Sequence, residues 1–268
     1  MQSTNVKPFA VVTGASSGIG LELARQFAQH GFDLLICSES GEIRSAEQEL
    51  RSLGGDVQSV QANLATYEGV ENLYAAIQAS GRTLDSIAIN AGVGVSGDFA
   101  RQTSLEDELN LIALNVVSPV HLTKRVVKDM VARNHGRILF TSSIAGEMPS
   151  PFEAIYGASK AFLTSFAEAI RNELKDTGVT VTALMPGATE TNFFHRAHME
   201  DTKLGASNSK DDPAEVAKDG FEALMSGKDH VVAGSFKNKA QAAAANALPD
   251  QVVANMHRQM SEPGSAKK

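Results

Sequence analysis

The chain contains 268 residues, 43% of them apolar and 21% charged, which is enough to bury a sizeable core in one domain spanning residues 1–268. The formal net charge of -7 disfavours nucleic acid and anionic membrane surfaces as partners, because phosphate binding needs a basic footprint. Cys37 is the only cysteine, so an intrachain disulfide is excluded, and no stretch approaches the roughly 18 apolar residues of a membrane span. We therefore expect a cytoplasmic enzyme or binding domain.

Short apolar runs alternate with amphipathic stretches along the chain. The runs predicted as strands are Phe9–Thr13, Asp33–Cys37, Val57–Gln61, Ser86–Ile89, Arg137–Thr141, Val179–Met185 and His230–Ala233. The stretches predicted as helices are Ile19–His30, Gly41–Leu53, Tyr67–Ser80, Leu105–Asn134, Ala154–Thr177 and Pro213–Ser226. Because several strand runs are apolar at consecutive positions, both faces of the sheet are expected to be covered. The pattern predicts an α/β fold with a doubly wound parallel sheet of about seven strands.

Two segments interrupt this alternation. Thr189–Lys210 is polar apart from an embedded Phe193-Phe194 pair, and we expect it to be a mobile flap. The tail from Phe236 includes the alanine-rich Gln241–Leu248 and is predicted to form terminal helices with a frayed end.

A glycine-rich turn follows the first predicted strand. Gly14, Gly18 and Gly20 are spaced G-x-x-x-G-x-G between that strand and a helix. Small residues let the backbone approach a pyrophosphate, whose charge is stabilised by the free N–H groups and positive dipole end of the helix. Glycine spacing alone is a weak signal, but the position between strand and helix favours a cofactor cradle over a mere tight turn. Its predicted cofactor-binding residues are Gly14, Ser16, Ser17, Gly18, Ile19 and Gly20.

The end of the second predicted strand indicates which dinucleotide is bound. Ser38 and Glu39 close this strand, and Glu39 lies nineteen residues beyond Gly20, near the usual offset of about twenty. A carboxylate accepts hydrogen bonds from a ribose 2′-hydroxyl, whereas a basic group would pair with a 2′-phosphate. Ser17 is not basic either. We expect NAD, with NADP as the alternative.

Tyr156 and Lys160 are the candidate catalytic pair. They are four residues apart at the start of a predicted helix, so they project from one face, where a cation favours the phenolate. Such a pair is usually an ordinary helix face. Here, however, Thr141-Ser142-Ser143 ends the strand just upstream, and open α/β sheets bind ligands at the carboxyl ends of their strands.

Three further segments fall at the same predicted edge. Asn90-Ala91-Gly92 closes the fourth strand, Asn115 lies within a helix, and Pro186-Gly187 closes the sixth strand. With these segments in this order from about Phe9 to Ala233, the chain resembles the short-chain dehydrogenase/reductase family. The resemblance implies a Rossmann fold and hydride transfer between NAD(P) and a ketone, an aldehyde or a secondary alcohol.

The resemblance also implies residue roles. Tyr156 is the expected general acid and base, Lys160 binds the nicotinamide ribose and tunes Tyr156, and Asn115 anchors a water that links Lys160 to solvent. Ser143 is expected to hold the substrate oxygen, because it directly precedes the Ile-Ala-Gly that follows the catalytic serine in the family, and Ser142 is the alternative.

Further cofactor contacts follow from the same resemblance. The residues expected to take part are Asn63, Leu64, Asn90, Ala91, Gly92, Pro186, Gly187, Thr189 and Thr191. Two positions depart from the family pattern. Ile89 replaces an asparagine, which affects a structural hydrogen bond, and Asn63 replaces an aspartate, although an amide still pairs with an adenine edge.

Apolar residues surround the predicted catalytic tyrosine. Met148 and Phe152 are expected to form one substrate wall, and Phe193 and Phe194 of the flap the other, together with Met199. This favours an aromatic or medium-sized apolar ketone or secondary alcohol. No metal is expected, because no cysteine or acidic cluster completes a site around His195 and His198.

Other classes of function remain open at this point. A non-catalytic dinucleotide sensor on the same fold would typically have lost the tyrosine or the lysine, and both are present. A structural protein with a degenerate site and an NADP-dependent carbonyl reductase are further alternatives. Leu105–Asn134 and Ala154–Thr177 are long helices, and in the resembling family such helices pair across a dimer interface, so a homodimer or homotetramer is expected.

Overall fold

A parallel β-sheet forms the centre of the computed structural model, which describes residues 7–267; residues 1–6 and 268 of the predicted domain lie outside them. Seven parallel strands lie in the order β3-β2-β1-β4-β5-β6-β7. They are β1 (Phe9–Thr13), β2 (Asp33–Ser38), β3 (Val57–Gln61), β4 (Leu84–Ile89), β5 (Gly136–Thr141), β6 (Val179–Met185) and β7 (His230–Val232). The strand order reverses between β1 and β4, which opens a crevice at the carboxyl ends of these strands. The predicted doubly wound sheet is confirmed.

Helices cover both faces of the sheet. They are α1 (Gly18–Gln29), α2 (Ile43–Arg51), α3 (Tyr67–Ala79), α4 (Leu105–Ile112), α5 (Ser118–Ala132), α6 (Ala154–Glu173), α7 (Phe193–Arg196), α8 (Pro213–Met225), α9 (Phe236–Ala247) and α10 (Asp250–Ser261). Apolar residues of α1, α2 and α8 pack on one face, with Phe27 and Phe221 ring to ring at 5.1 Å. Those of α3, α5 and α6 pack on the other face. Within residues 7–267 no helix is long and apolar enough to cross a bilayer.

The helix predicted over Leu105–Asn134 is interrupted. A π-helical turn, Ala113–Val117, separates α4 from α5 and contains the buried Asn115. A π turn inserts one extra residue per turn without leaving the helical path, and such turns often occur at functional sites. The apolar periodicity continues through the turn, so the sequence pattern carries no sign of it.

The single cysteine is a buried side chain of β2. Cys37 lies among apolar residues of the sheet core, and burial raises the pKa of its thiol to about 12. The thiol therefore stays protonated at neutral pH and acts as a small packing group.

Hydrogen bonds join the C-terminal segment to the predicted flap. The Leu204 amide donates to the Met260 carbonyl at 3.0 Å, and the Ala266 amide donates to the Asp201 carbonyl at 2.9 Å. The Lys203 amide donates to the Ser265 hydroxyl at 2.9 Å. The predicted terminal helices are present as α9 and α10. The expectation of a frayed end is wrong as far as Ala266, because this segment forms hydrogen bonds with the flap.

Candidate active site

One cavity of about 890 Å³ lies at the carboxyl ends of the strands. This volume is within the range of small-molecule and cofactor sites, about 300 to 1,000 Å³. Residues from the ends of β1, β2, β4, β5 and β6 line it. Every residue predicted for the site lines this cavity except Asn115, Phe152 and Met199.

The glycine-rich turn has the geometry of a dinucleotide cradle. Gly14 and Gly18 have φ angles of +67° and +57°, which side chains rarely adopt. A Cβ on Gly20 would lie 2.1 Å from the Gly14 carbonyl oxygen and 2.4 Å from Asn90 Nδ2. The Ser17 side chain makes no capping hydrogen bond to α1, so the first-turn amide groups lack that partner and fit a pyrophosphate.

Hydrogen bonds fix the strand ends beneath this turn. Thr13 Oγ1 accepts from the amides of Asn90, at 2.9 Å, and Ala91, at 3.0 Å. Asn90 Nδ2 donates to the Thr13 carbonyl at 3.1 Å, and Thr141 Oγ1 donates to Asn90 Oδ1 at 3.0 Å. The ends of β1, β4 and β5 are thereby joined into one floor for the cavity.

Polar groups surround the predicted adenosine end. The hydroxyls of Ser16 and Ser38 lie 3.0 Å apart, and Gln61 Nε2 donates to the Glu39 carbonyl at 3.0 Å. The exposed Glu39 lines the cavity edge. Asn63 Oδ1 accepts from the Ala65 amide at 2.8 Å, which orients the side-chain amide that replaces the family's aspartate.

The tyrosine and the lysine lie together as predicted. Lys160 Nζ is 5.6 Å from the centroid of the Tyr156 ring and donates to the Thr141 carbonyl at 2.8 Å. Burial lowers the pKa of the Lys160 ammonium to about 8. Burial raises the pKa of the Tyr156 phenol above its usual range, the negative charge of Glu153 raises it further, and a hydrogen bond with Ser143 opposes both.

The two adjacent serines have different surroundings. Ser142 Oγ donates to the Lys160 carbonyl at 2.8 Å and lies 2.8 Å from Thr164 Oγ1, so it joins β5 to α6. Ser143 Oγ accepts from the Ala145 amide at 3.1 Å and donates to the Pro186 carbonyl at 3.4 Å, and of the two serines it is the one that lowers the pKa of Tyr156. This geometry favours Ser143 over Ser142 beside the reacting group.

Asn115 supports the cavity from behind. Its Nδ2 donates to the Val93 carbonyl at 2.9 Å and to Ser159 Oγ at 3.1 Å, and its Oδ1 accepts from the Val93 amide at 3.0 Å. The π-helical turn brings this side chain to the loop after β4, where Gly92 separates it from Lys160.

Aromatic residues of the flap cover the tyrosine. The Phe193 ring centroid is 5.1 Å from that of Tyr156, and Phe194 packs edge-on against Phe193 at 5.6 Å. Met199 is fully buried beneath Phe194 and does not line the cavity. Phe152, predicted for a substrate wall, does not line the cavity: its φ is +66° and its ring centroid lies 4.8 Å from Arg258 Cζ.

The C-terminal helices supply lining residues that sequence reasoning missed. They are Asn238 and Gln241 of α9, Leu248 between the two helices, and Val253, Met256, His257, Gln259 and Met260 of α10. The apolar positions recur every three to four residues, which indicates an amphipathic helix but not what its apolar face contacts. Thr13 and Glu153 were also missed as site residues, and Glu153 lies in the cavity wall just before α6.

The flap histidines have other partners. His195 Nδ1 contacts the Glu200 carboxylate. Among the side chains of the described residues, no group of three or more His, Cys, Asp or Glu has an arrangement that could hold a metal ion.

Comparison with known proteins identifies the family. Residues 8–202 match the family model described as short chain dehydrogenase. The chain is 36% identical over 197 residues to the uncharacterized short-chain type dehydrogenase/reductase y4eK of Sinorhizobium fredii (strain NBRC 101917 / NGR234), covering 74% of this chain and 76% of the relative. It is 33% identical over 178 residues to the NADP-dependent 3-hydroxy acid dehydrogenase YdfG of Escherichia coli (strain K12), covering 66% and 71% of the two chains.

Solved structures agree with the sequence matches. A short-chain dehydrogenase from Sphingobium yanoikuyae in complex with NADPH aligns with a TM-score of 0.78 at 27% identity, covering 84% of this chain and 87% of that chain. The chain therefore belongs to the short-chain dehydrogenase/reductase family and is an NAD(P)-dependent oxidoreductase. The expected class is confirmed, and the alternative of a non-catalytic sensor is not supported.

Replacing Gly20 by alanine is expected to weaken NADH and NADPH binding at least about tenfold, equivalent to about 1.4 kcal/mol. The added Cβ would meet the Gly14 carbonyl and the Asn90 amide, so the cradle must open. Nucleotide fluorescence titration measures the change. Gly41→Ala is the matched control, because a Cβ there meets nothing within 4 Å and its backbone is not left-handed. Equal binding by G20A and wild type would contradict the assignment of the turn.

Proposed function

We propose that Tyr156 is the general acid and base in the interconversion of an apolar ketone or aldehyde and its alcohol. The observation that carries this proposal is a phenol that lines the same cavity as Ser143 and has a buried lysine 5.6 Å from its ring centroid. Burial favours the neutral phenol, which is the form that donates a proton during reduction. In oxidation the phenolate accepts the proton from the alcohol.

The neighbouring residues have distinct roles in this proposal. Ser143 holds the substrate oxygen within reach of the phenol. Lys160, with a pKa of about 8, is largely an ammonium at neutral pH, so it favours the phenolate and binds the nicotinamide ribose. Asn115 holds the loop of Gly92 and Val93 beside Lys160 and anchors a water there.

The strand ends would hold the dinucleotide. Gly14, Ser16 to Gly20 and Asn90 receive the pyrophosphate, while Pro186, Gly187, Thr189 and Thr191 lie at the nicotinamide end of the lining. When bound, the nicotinamide supplies or accepts the hydride. The protein contributes orientation, exclusion of water and the proton.

Apolar side chains at the substrate end support a substrate of matching character. Phe193 and Met148 are joined there by Leu204 of the flap and by Met256 and Met260 of α10. Burying an apolar substrate against them is favourable at roughly 25 cal/mol per Å². We infer an aromatic or medium-sized apolar ketone or secondary alcohol.

Tyr156→Phe is expected to lower the rate with apolar ketones by about a hundredfold to ten-thousandfold, the usual contribution of general acid catalysis. The phenyl ring keeps its packing against Phe193, so binding of NADH and NADPH is expected to persist. A spectrophotometric screen of ketones and secondary alcohols with both cofactors measures the rate. Tyr67→Phe is the control, since Tyr67 is an exposed tyrosine of α3 outside the cavity. Turnover retained by Y156F would refute the acid–base role.

We infer that NAD is preferred over NADP. Glu39 is an exposed carboxylate at the adenosine end, and the described residues that line this end include neither lysine nor arginine. A 2′-phosphate would meet a like charge there, whereas a ribose 2′-hydroxyl would find an acceptor. The Escherichia coli relative is NADP-dependent, so the preference depends on this chain's own side chains.

The kcat/KM for NADH is expected to exceed that for NADPH at least about tenfold, or about 1.4 kcal/mol. Glu39→Gln is expected to reduce the difference in kcat/KM between NADH and NADPH, because it removes the charge repulsion with the 2′-phosphate of NADPH. Glu42→Gln is the matched control, because Glu42 is an exposed carboxylate nearby that does not line the cavity. Steady-state kinetics with both cofactors provide the measurement, and a clear NADPH preference of the wild type would overturn the inference.

We also infer a homodimer or homotetramer. Large apolar side chains are exposed along α4, the π turn and α6, with Leu105 75%, Leu109 55%, Val117 57% and Phe162 38% exposed. Contiguous exposed apolar groups of this kind mark interaction surfaces, and a second copy of the chain would cover them.

Light scattering at micromolar concentration is expected to give at least twice the mass of the chain, and Leu109→Glu is expected to shift it towards the monomer. The reason is that the introduced carboxylate would have to be buried at the interface without a partner. Phe99→Ser is the control, since Phe99 is 62% exposed and lies in the loop before α4, outside these helices. A monomeric wild type would contradict the proposed assembly.

A further inference from the structure

A buried acidic side chain lies at the start of the catalytic helix. Glu153 directly precedes α6, and its side chain is 4% exposed. Its Oε2 lies 3.1 Å from His257 Nε2 and accepts a hydrogen bond from Ser261 Oγ at 3.0 Å. Both partners belong to α10, more than 100 residues further along the chain. The C-terminal helix is therefore bonded directly to the segment that presents Tyr156.

The three residue types are those of a nucleophilic triad, but their geometry excludes that role. Ser261 is fully buried, so no substrate reaches its hydroxyl. The hydroxyl lies 3.2 Å from His257 Nε2, the same nitrogen that contacts Glu153, so the ring cannot relay a proton between them. What remains is a buried carboxylate with two hydrogen-bonding partners, and Glu153 and His257 line the cavity.

Glu153 acts electrostatically on the catalytic tyrosine. It stands three residues before Tyr156, and its negative charge raises the pKa of the phenol, because a like charge disfavours the phenolate. Among the described residues, the titratable groups around this region are Lys160 from α6, His257 from α10 and Arg196 from α7, which line the same cavity, and Arg258, which lies over the Phe152 ring and pairs with Glu262. His257 is the one in contact with the Glu153 carboxylate.

The same helix also forms part of the substrate wall. Met256 and Met260 flank His257 on α10 and line the cavity, and the Met260 carbonyl accepts a hydrogen bond from Leu204 of the flap. Any shift of α10 therefore moves both the substrate wall and the partners of Glu153.

We propose that His257 and Ser261 hold the Glu153 carboxylate at the start of α6, and that this contact makes α10 a positioning element for the acid–base chemistry of Tyr156. The inference rests on the proposed function, in which Tyr156 exchanges the proton. His257 Nε2 and the Ser261 hydroxyl hydrogen-bond the carboxylate, and these bonds partly offset its negative charge. Without His257, the buried carboxylate would act on the phenol with little compensation.

The pH dependence of alcohol oxidation tests the proposal, because this reaction needs Tyr156 to accept a proton. Its kcat/KM therefore rises with pH and reaches a plateau above the apparent pKa of Tyr156. Glu153→Gln is expected to move this limb to lower pH by roughly 1 unit, since it removes a like charge. His257→Leu is expected to move it to higher pH by a similar amount. The double variant is expected to follow Glu153→Gln, because no carboxylate remains to be offset.

A merely structural role would give a different pattern. If His257→Leu only loosened α10, the double variant would still differ from Glu153→Gln. The rising part of the pH profile would then not move to higher pH in the single variant His257→Leu. Either result would overturn the proposal. Glu262→Gln is the matched control, because it removes a partly exposed carboxylate at the end of α10, and no shift is expected. Glu153→Gln keeps an acceptor and a similar volume, and thermal unfolding verifies that each variant is folded.

A second measurement does not require turnover. The chain has three tyrosines and no tryptophan, so in a Tyr67→Phe/Tyr74→Phe background the phenolate absorbance of the cofactor-bound protein reports Tyr156 alone. The apparent pKa read from this absorbance is expected to shift in the same directions as the pH profile of kcat/KM. Turnover by Tyr156→Phe would defeat the proposed function. If Tyr156→Phe is inactive but the pH profiles of all the Glu153 and His257 variants coincide, only the present inference would be refuted.

Discussion

Hydrogen bonds between the carboxyl ends of three parallel strands hold the site together. Thr13 at the end of β1 accepts from the Asn90 and Ala91 amides after β4, and Thr141 at the end of β5 donates to the Asn90 side chain. Parallel strands end at one edge of the sheet, so fixing these ends brings the glycine turn, the Gly92 loop and Ser143 to one cavity. A slip of one residue in any strand would separate the glycine-rich turn from Tyr156.

The strand ends beneath the cavity also affect the charge states of Lys160 and Tyr156. The Thr141 carbonyl accepts the hydrogen bond of Lys160, and burial lowers the pKa of this ammonium while raising the pKa of Tyr156. Desolvation favours the neutral form of both groups, so the phenol is poised as an acid, and the phenolate depends on nearby charge. The charges of Lys160 and Glu153 therefore bear on the ionisation of Tyr156, on which the proposed proton transfer depends.

Closure of the cavity depends on segments that are far apart in the chain. The flap residues Phe193 and Leu204 cover Tyr156 from one side, and α10 contributes Met256 and Met260 from another. Backbone hydrogen bonds join the flap to the C-terminal segment, so substrate wall and flap form one connected layer above a rigid sheet edge. In the proposed function, this arrangement would separate cofactor binding, at the strand ends, from substrate selection, in the loops and terminal helices.

The sequence by itself determined the parallel sheet, the cofactor turn and the face shared by Tyr156 and Lys160, because strand runs, glycine spacing and helical periodicity are local properties. The bounds of β1, β3 and β6 agree with the predicted runs for this reason. Only the tertiary structure decided where the π turn falls, which way Phe152 turns, and that His257 meets Glu153. These depend on how side chains pack between distant segments, and an amphipathic period indicates which face is buried without indicating its partner.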